Sequence, residues 1–113
     1  MKVYNRTRYD DKLIYNIMKD AKVTAKGTIT ALYIMIDDSL ECGGKCLPLS
    51  NNECIIKLKR DDCIGIPILA HELRHVSQVS HGMIDWMNES KRTDRYSERW
   101  HEIDAKEFER RYR

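Results

Sequence analysis

A chain of 113 residues, 42% hydrophobic and 34% charged, is long enough to bury one core and leaves little room for a second. A formal net charge of +2 is too small to argue for a nucleic-acid partner. No apolar run approaches the ~18 residues of a membrane span, and no apolar stretch follows the N-terminal charges as a secretory leader would require. The expectation is a single cytoplasmic domain over 1–113 that contacts neither membrane nor nucleic acid. Its four cysteines, Cys42, Cys46, Cys54 and Cys63, are then reduced thiols, buried or half-buried. Their spacing lacks the paired C-x2-C knuckles of a structural zinc site.

In chain order, Asp10 or Asp11 caps a first amphipathic helix over DKLIYNIMKDAK, with Leu13, Ile14, Ile17 and Met18 at helical spacing. Gly27 closes the helix or the turn after it. The β-branched and aromatic run TITALYIMID (28–37) predicts a strand. Gly43-Gly44 and Asn51-Asn52 are turn signals around a short strand near Lys45–Leu49. In ECIIKLKR (53–60), Ile56 and Leu58 alternate with Lys57 and Lys59, the pattern of an edge strand with one wet face. A second helix starts near Gly65–Pro67 and runs to Gly82, with 83–93 as a connection. A third helix spans about Asp94 to Tyr112, with Trp100 and Ile103 on a core face, and Phe108 and Tyr112 clamping it from another. Acidic residues interleave with the basic ones of KRTDRYSERW and FERRYR, as on a solvated helix face. The layout is α+β, with a small sheet of about three mostly antiparallel strands covered on one side.

The second helix carries HELRHVSQVSH at 71–81. At 100° and 1.5 Å per residue, His71 and His75 stand about 40° apart around the axis and about 6 Å apart along it, so both imidazoles can reach one cation. Glu72, turned about 100° from His71, can touch a water on that cation without ligating it. Leu69, Leu73 and Val76 form a separate apolar stripe that anchors the helix. Arg74 faces away from both, suited to a surface ion pair.

Such a pair needs a third protein donor. His81, ten residues after His71, would lie about 15 Å along a continuous helix and about 280° around it, out of reach. Gln78 occupies the position at which a helix-breaking glycine would be needed to bring His81 back. His81 is instead suited to the last carbonyls of its own helix. The third helix offers Glu102, with Asp104 and His101 as alternatives. A solvated ion pair with Lys106, four residues on, is the competing use of Glu102.

The combination of AHELRHVSQ and EIDAKEF, separated by about two dozen residues, resembles the minimal gluzincin metallopeptidases, small bacterial and phage proteins among them. The resemblance covers roughly 45–110. It implies a compact zincin core in which zinc is held by His71, His75 and Glu102, the last from an E-x-x-A-x-x-F string (Glu102, Ala105, Phe108). It also implies Glu72 as general base and an extended peptide substrate along the edge strand, here 54–59. Lys106 stands where relatives often carry an acidic residue, leaving Asp104 or Asp37 to orient a histidine. Tyr96, Arg99 and His101 are candidate oxyanion donors. A zincin fold that binds a protein without cutting it is the alternative function.

Overall fold

The computed structural model describes residues 1–23, 29–49, 52–81 and 99–113. Its elements are β1 (Lys2–Arg6), α1 (Asp11–Asp20), β2 (Ala31–Ile36), β3 (Gly44–Pro48), β4 (Glu53–Leu58), α2 (Ile66–Ser80) and α3 (Trp100–Glu109). The α+β class holds. The sheet differs from expectation: it has four strands in the order β1-β2-β4-β3, with β1–β2 and β2–β4 parallel and only β3–β4 antiparallel. β1 is a strand that the sequence concealed, because KVYNR carries a single aliphatic residue on its inner face and pairs on one side only.

β4 is therefore an interior strand, and the edges are β1 and β3. Alternation along β4 is as expected, with Ile56 and Leu58 buried. Lys57 and Lys59, however, report a sheet face open to water, not an open edge. On that face the register aligns Tyr4, Tyr33, Ile55 and Leu47 in one row across all four strands. The rings of Tyr4 and Tyr33 stack at 4.9 Å. The opposite face supplies Leu32, Ile34, Cys54, Ile56 and Leu58 to a core completed by Ile14 and Ile17 of α1 and Leu69, Leu73 and Val76 of α2. Each fully buried aliphatic side chain contributes about 1.5–3 kcal/mol.

Helix α1 is capped by Asp10, whose side chain accepts from Lys12 N. Gly27 lies outside the described residues, and the helix ends before it. Lys22 turns left-handed at φ 60, Lys22 N–H donates to Lys19 O, and Val23 N–H donates to Met18 O. This is the two-bond helix stop that glycine usually makes. Val23 packs against the core beyond it. Before α2, Asp62 caps a single 3-10 turn at Cys63–Gly65, and Pro67 sits in the first turn of α2, where its missing N–H costs nothing. At the other end His81 Nδ1 lies 2.7 Å from Ser77 O, the carbonyl contact expected of it.

Two finer expectations fail. Ile103 is 48% exposed, because α3 turns the Glu102–Ala105–Phe108–Glu109 face inward instead, whereas Trp100, half-buried, packs against the core as expected. Cys42 and Cys63 are exposed, while Cys54 is buried. The third helix is described from Trp100 and passes into a 3-10 turn at Arg110–Tyr112; the expected start near Asp94 and the 83–93 connection lie outside the described residues. Among those described, no helix is long and apolar enough to cross a membrane.

Candidate metal centre

The centre forms where α2 and α3 pack against each other. Ala105, fully buried, lets the helices approach, and Phe108 is buried in the same interface, with the Tyr112 ring 5.4 Å away. Phe108 and Tyr112 thus act as the expected clamp, Tyr112 also donating to Asp20 Oδ2 at 2.7 Å. From α2, one turn apart, come His71 and His75, 8% and 7% exposed. From α3 comes Glu102, 2% exposed. One donor atom from each of the three lies within 4.8 Å of the others. Glu102 Oε1 is 3.3 Å from His71 Nε2 and 2.5 Å from His75 Nε2. The Glu102 carboxylate is thus turned to the histidines and is no solvated surface group.

The other nitrogen of each ring is fixed by an acceptor. His71 Nδ1 lies 2.9 Å from Glu109 Oε1, and Glu109 Oε2 in turn accepts from Arg113 Nη2 at 2.6 Å. His75 Nδ1 lies 2.8 Å from Gln78 Oε1. Asp104 and Asp37 do not play this part. Asp104 is held by Arg74 and Gln78, and Asp37 by Ser39 and Lys57. Glu109 stands two turns beyond Glu102 on α3, and Gln78 one turn beyond His75 on α2. The sequence signal for both was helical spacing from a ligand, which was not followed past the motif.

These contacts test whether the residues fit a cation. An ionised carboxylate only accepts, so Glu109 and the Gln78 carbonyl oxygen place a proton on each Nδ1. Both Nε2 lone pairs then face Glu102, acceptor against acceptor, unless each ring carries a second proton or a cation stands between them. Charge points the same way: Glu72, Glu102 and Glu109 are 4%, 2% and 5% exposed. Arg113 meets the charge of Glu109, and a divalent ion would add two positive charges where the donors of Glu102 and the two histidines meet. Two imidazoles and a carboxylate are a donor set that zinc accepts, with one position left open.

Glu72 lies on α2 beside the edge strand, its Cγ 3.2 Å from where a Cβ on Gly44 would stand. Burial raises its pKa; the charges of His75 and His71 oppose this, and those of Glu102 and Glu109 reinforce it. For His71 burial works against the charged ring, but the hydrogen bond to Glu102 and the charges of Glu72, Glu102 and Glu109 outweigh it and leave the pKa raised.

Arg74 makes the expected ion pair, half-buried instead of fully on the surface: its Nε and Nη2 grip Asp104 at 2.8 and 3.1 Å, and Nη1 donates to Ala21 O at 2.9 Å. Of the oxyanion candidates, His101 is buried with its ring 5.7 Å from that of His75. Arg99 precedes α3, its carbonyl accepting from Glu102 N and Ile103 N. Tyr96 lies outside the described residues. Neither His101 nor Asp104 joins the converging donors. No family model matches the chain, and neither does any curated protein or solved structure.

Proposed function

We propose that this chain is a zinc-dependent peptidase in which His71, His75 and Glu102 hold the metal and Glu72 is the general base. The observation that carries the proposal is a fourth group: Glu72, a buried carboxylate next to His71 in the chain whose electrostatic neighbours include all three converging donors. A purely structural metal site needs the donors and has no use for Glu72. When bound, zinc with three protein donors acidifies a water at its open position and polarises a carbonyl brought there.

Glu72 takes the proton of the attacking water and returns it to the leaving amine, a role for which a raised pKa is an advantage. Substrate enters along β3, not the 54–59 strand. β3 is an edge strand, and of the two edges it is the one whose first residue, Gly44, lies against Glu72. An extended peptide can add to that edge by backbone pairing. The likeness to gluzincins supports the same assignment through HELRH and Glu102, and a peptide or protein is the partner it calls for.

The test combines elemental analysis with cleavage of a mixed peptide library. Wild type should carry one zinc per chain and cut. His71→Ala and Glu102→Ala should lose the metal. Glu72→Gln should keep it while cleavage falls by about 10²–10⁴-fold. A Glu72→Gln variant that cuts as fast as wild type would remove the base from the mechanism. A zinc-loaded wild type that cuts nothing would favour the alternative, a binding module on the same scaffold.

A further inference from the structure

We infer that Gln78 is a positioning residue of the metal centre: its amide, locked in one orientation by α3, dictates which nitrogen of His75 is presented to the cation. The inference rests on the metal-binding reading above and adds to it a residue outside both the motif and the donor set.

Gln78 is 4% exposed. Its Nε2 lies 2.8 Å from Asp104 Oδ2 and 2.9 Å from the backbone oxygen of His101. Both neighbours are acceptors, so the amide nitrogen must face them. An amide turned the other way would set its oxygen against two oxygens and its N–H2 against the imidazole. The orientation is therefore dictated by α3. With nitrogen committed to α3, Oε1 is left for His75 Nδ1 at 2.8 Å. That nitrogen must carry hydrogen, and Nε2 is the end left to bind.

The support extends further. Asp104 accepts the fork of Arg74, whose third nitrogen is tied to Ala21 O at the end of α1. All three helices thus contribute to the setting of one ring. Position 78 is where a helix-breaking glycine would have served a ligand at His81; here the helix continues and the side chain at that position serves His75 instead.

Two substitutions separate positioning from packing. Gln78→Met keeps the bulk and loses the acceptor. Gln78→Glu keeps an acceptor for His75 but sets a carboxylate against Asp104 and the His101 carbonyl. Zinc affinity is read by competition with a chromogenic chelator, and stability by melting the zinc-free chain. Gln78→Met should bind zinc about 10–100-fold more weakly, while Gln78→Glu binds within a few-fold of wild type although it melts lowest of the three.

If Gln78 only joined two helices, affinity would follow stability and the Glu variant would bind worst; that order, or a Met variant binding like wild type, overturns the inference. Should a variant fail to fold, long-range ¹H–¹⁵N spectra of zinc-loaded wild type decide. A protonated Nδ1 and a metal-bound Nε2 on His75 are expected, and the reverse tautomer refutes the role of Gln78. Wild type that takes up no zinc would remove the metal reading itself, a result distinct from either order of variants.

Discussion

Gly44→Ala probes the closest approach between the edge strand and the proposed general base. A Cβ at Gly44 would stand 2.9 Å from Ile68 Cγ2, 3.2 Å from Glu72 Cγ and 3.2 Å from Lys57 O. Ordinary carbon contacts sit at about 3.5–4.0 Å. The overlap is therefore roughly 0.5–1 Å against Ile68 and a few tenths against the other two. Lys57 O belongs to an interior strand and cannot yield, so the strain falls on α2. Overpacking of this kind costs about 1–3 kcal/mol, offset by about 0.4–1 kcal/mol from the stiffer unfolded chain.

At roughly 4 °C or more per kcal/mol, the melting temperature should drop by several degrees. Peptide cleavage should fall as well, since Glu72 is one of the groups displaced. Gly43→Ala is the control: its Cβ would meet only Ile68, at 3.4–3.6 Å, which is normal contact. It should melt within about 0.5 kcal/mol of wild type. If Gly44→Ala melts and cuts like Gly43→Ala, the packing of β3 onto Glu72 is wrong, and the route proposed for substrate goes with it.

Three further outcomes are expected. First, zinc uptake should weaken as pH falls through the raised pKa of His71, above the ~6.5 of an ordinary histidine, since the ligand must be neutral. For the zinc-free chain the slope reverses. His71 and Glu72 have folded pKa values above their unfolded ones, so their contribution is complete below the unfolded values and is lost as pH rises through the folded ones. Urea melts of both forms from pH 5 to 8 read this, and parallel slopes would contradict it. Second, Lys22→Gly should stabilise the chain by about 0.5–1 kcal/mol, because a residue with a Cβ is strained at φ 60. A lower denaturation midpoint would show that the Lys22 side chain contributes more than its backbone costs. Third, Tyr9 and Tyr112 should ionise last among the described tyrosines in an ultraviolet titration, both pushed up to about 12. Burial is the main cause in each, joined by the Asp62 and Asp61 charges for Tyr9 and the hydrogen bond to Asp20 for Tyr112. Their stabilising contribution persists below about 10 and fades as pH climbs towards 12. Tyr9→Phe should remove one of the two late transitions.

What could be read from sequence was whatever depends on period and local chemistry. The 3.6-residue repeat placed α1 and α2, Asp10 announced the first cap, and the one-turn spacing of His71 and His75 brought two donors together. The strand at 53–58 and its buried Ile56 and Leu58 were legible from alternation. Pairing was not. Whether Lys57 marks an edge or an open face depends on which strand lies beyond it, and that partner, β2, is reached only by a crossover. β1 was missed for the same reason, its strand character coming from its neighbour more than from its own residues. Side-chain polarity inside the α2–α3 contact was equally hidden. Glu109 became a partner of His71 only when two helices met, and Gln78, on the same helix as His75, takes its orientation from α3. Ile103, apolar yet exposed, shows the converse: hydrophobicity alone does not say which face of a helix turns inward.

The parallel pairing of the sheet has a consequence for how the protein is made. The hairpin β3–β4 is the one antiparallel pair among the described strands. β1, synthesised first, is outermost and has nothing to bind until β2 exists, and β2 is flanked on its other side by β4, 22 positions further along the register. Parallel pairs of this kind are slow to form because a loop must close before any contact rewards it. On the ribosome, then, the earliest strand waits the longest. Glu102 follows His71 by 31 residues, so a growing chain carries the first imidazole through that whole stretch with no third donor. The proposed centre is therefore complete only once α3 has been made and packed against α2.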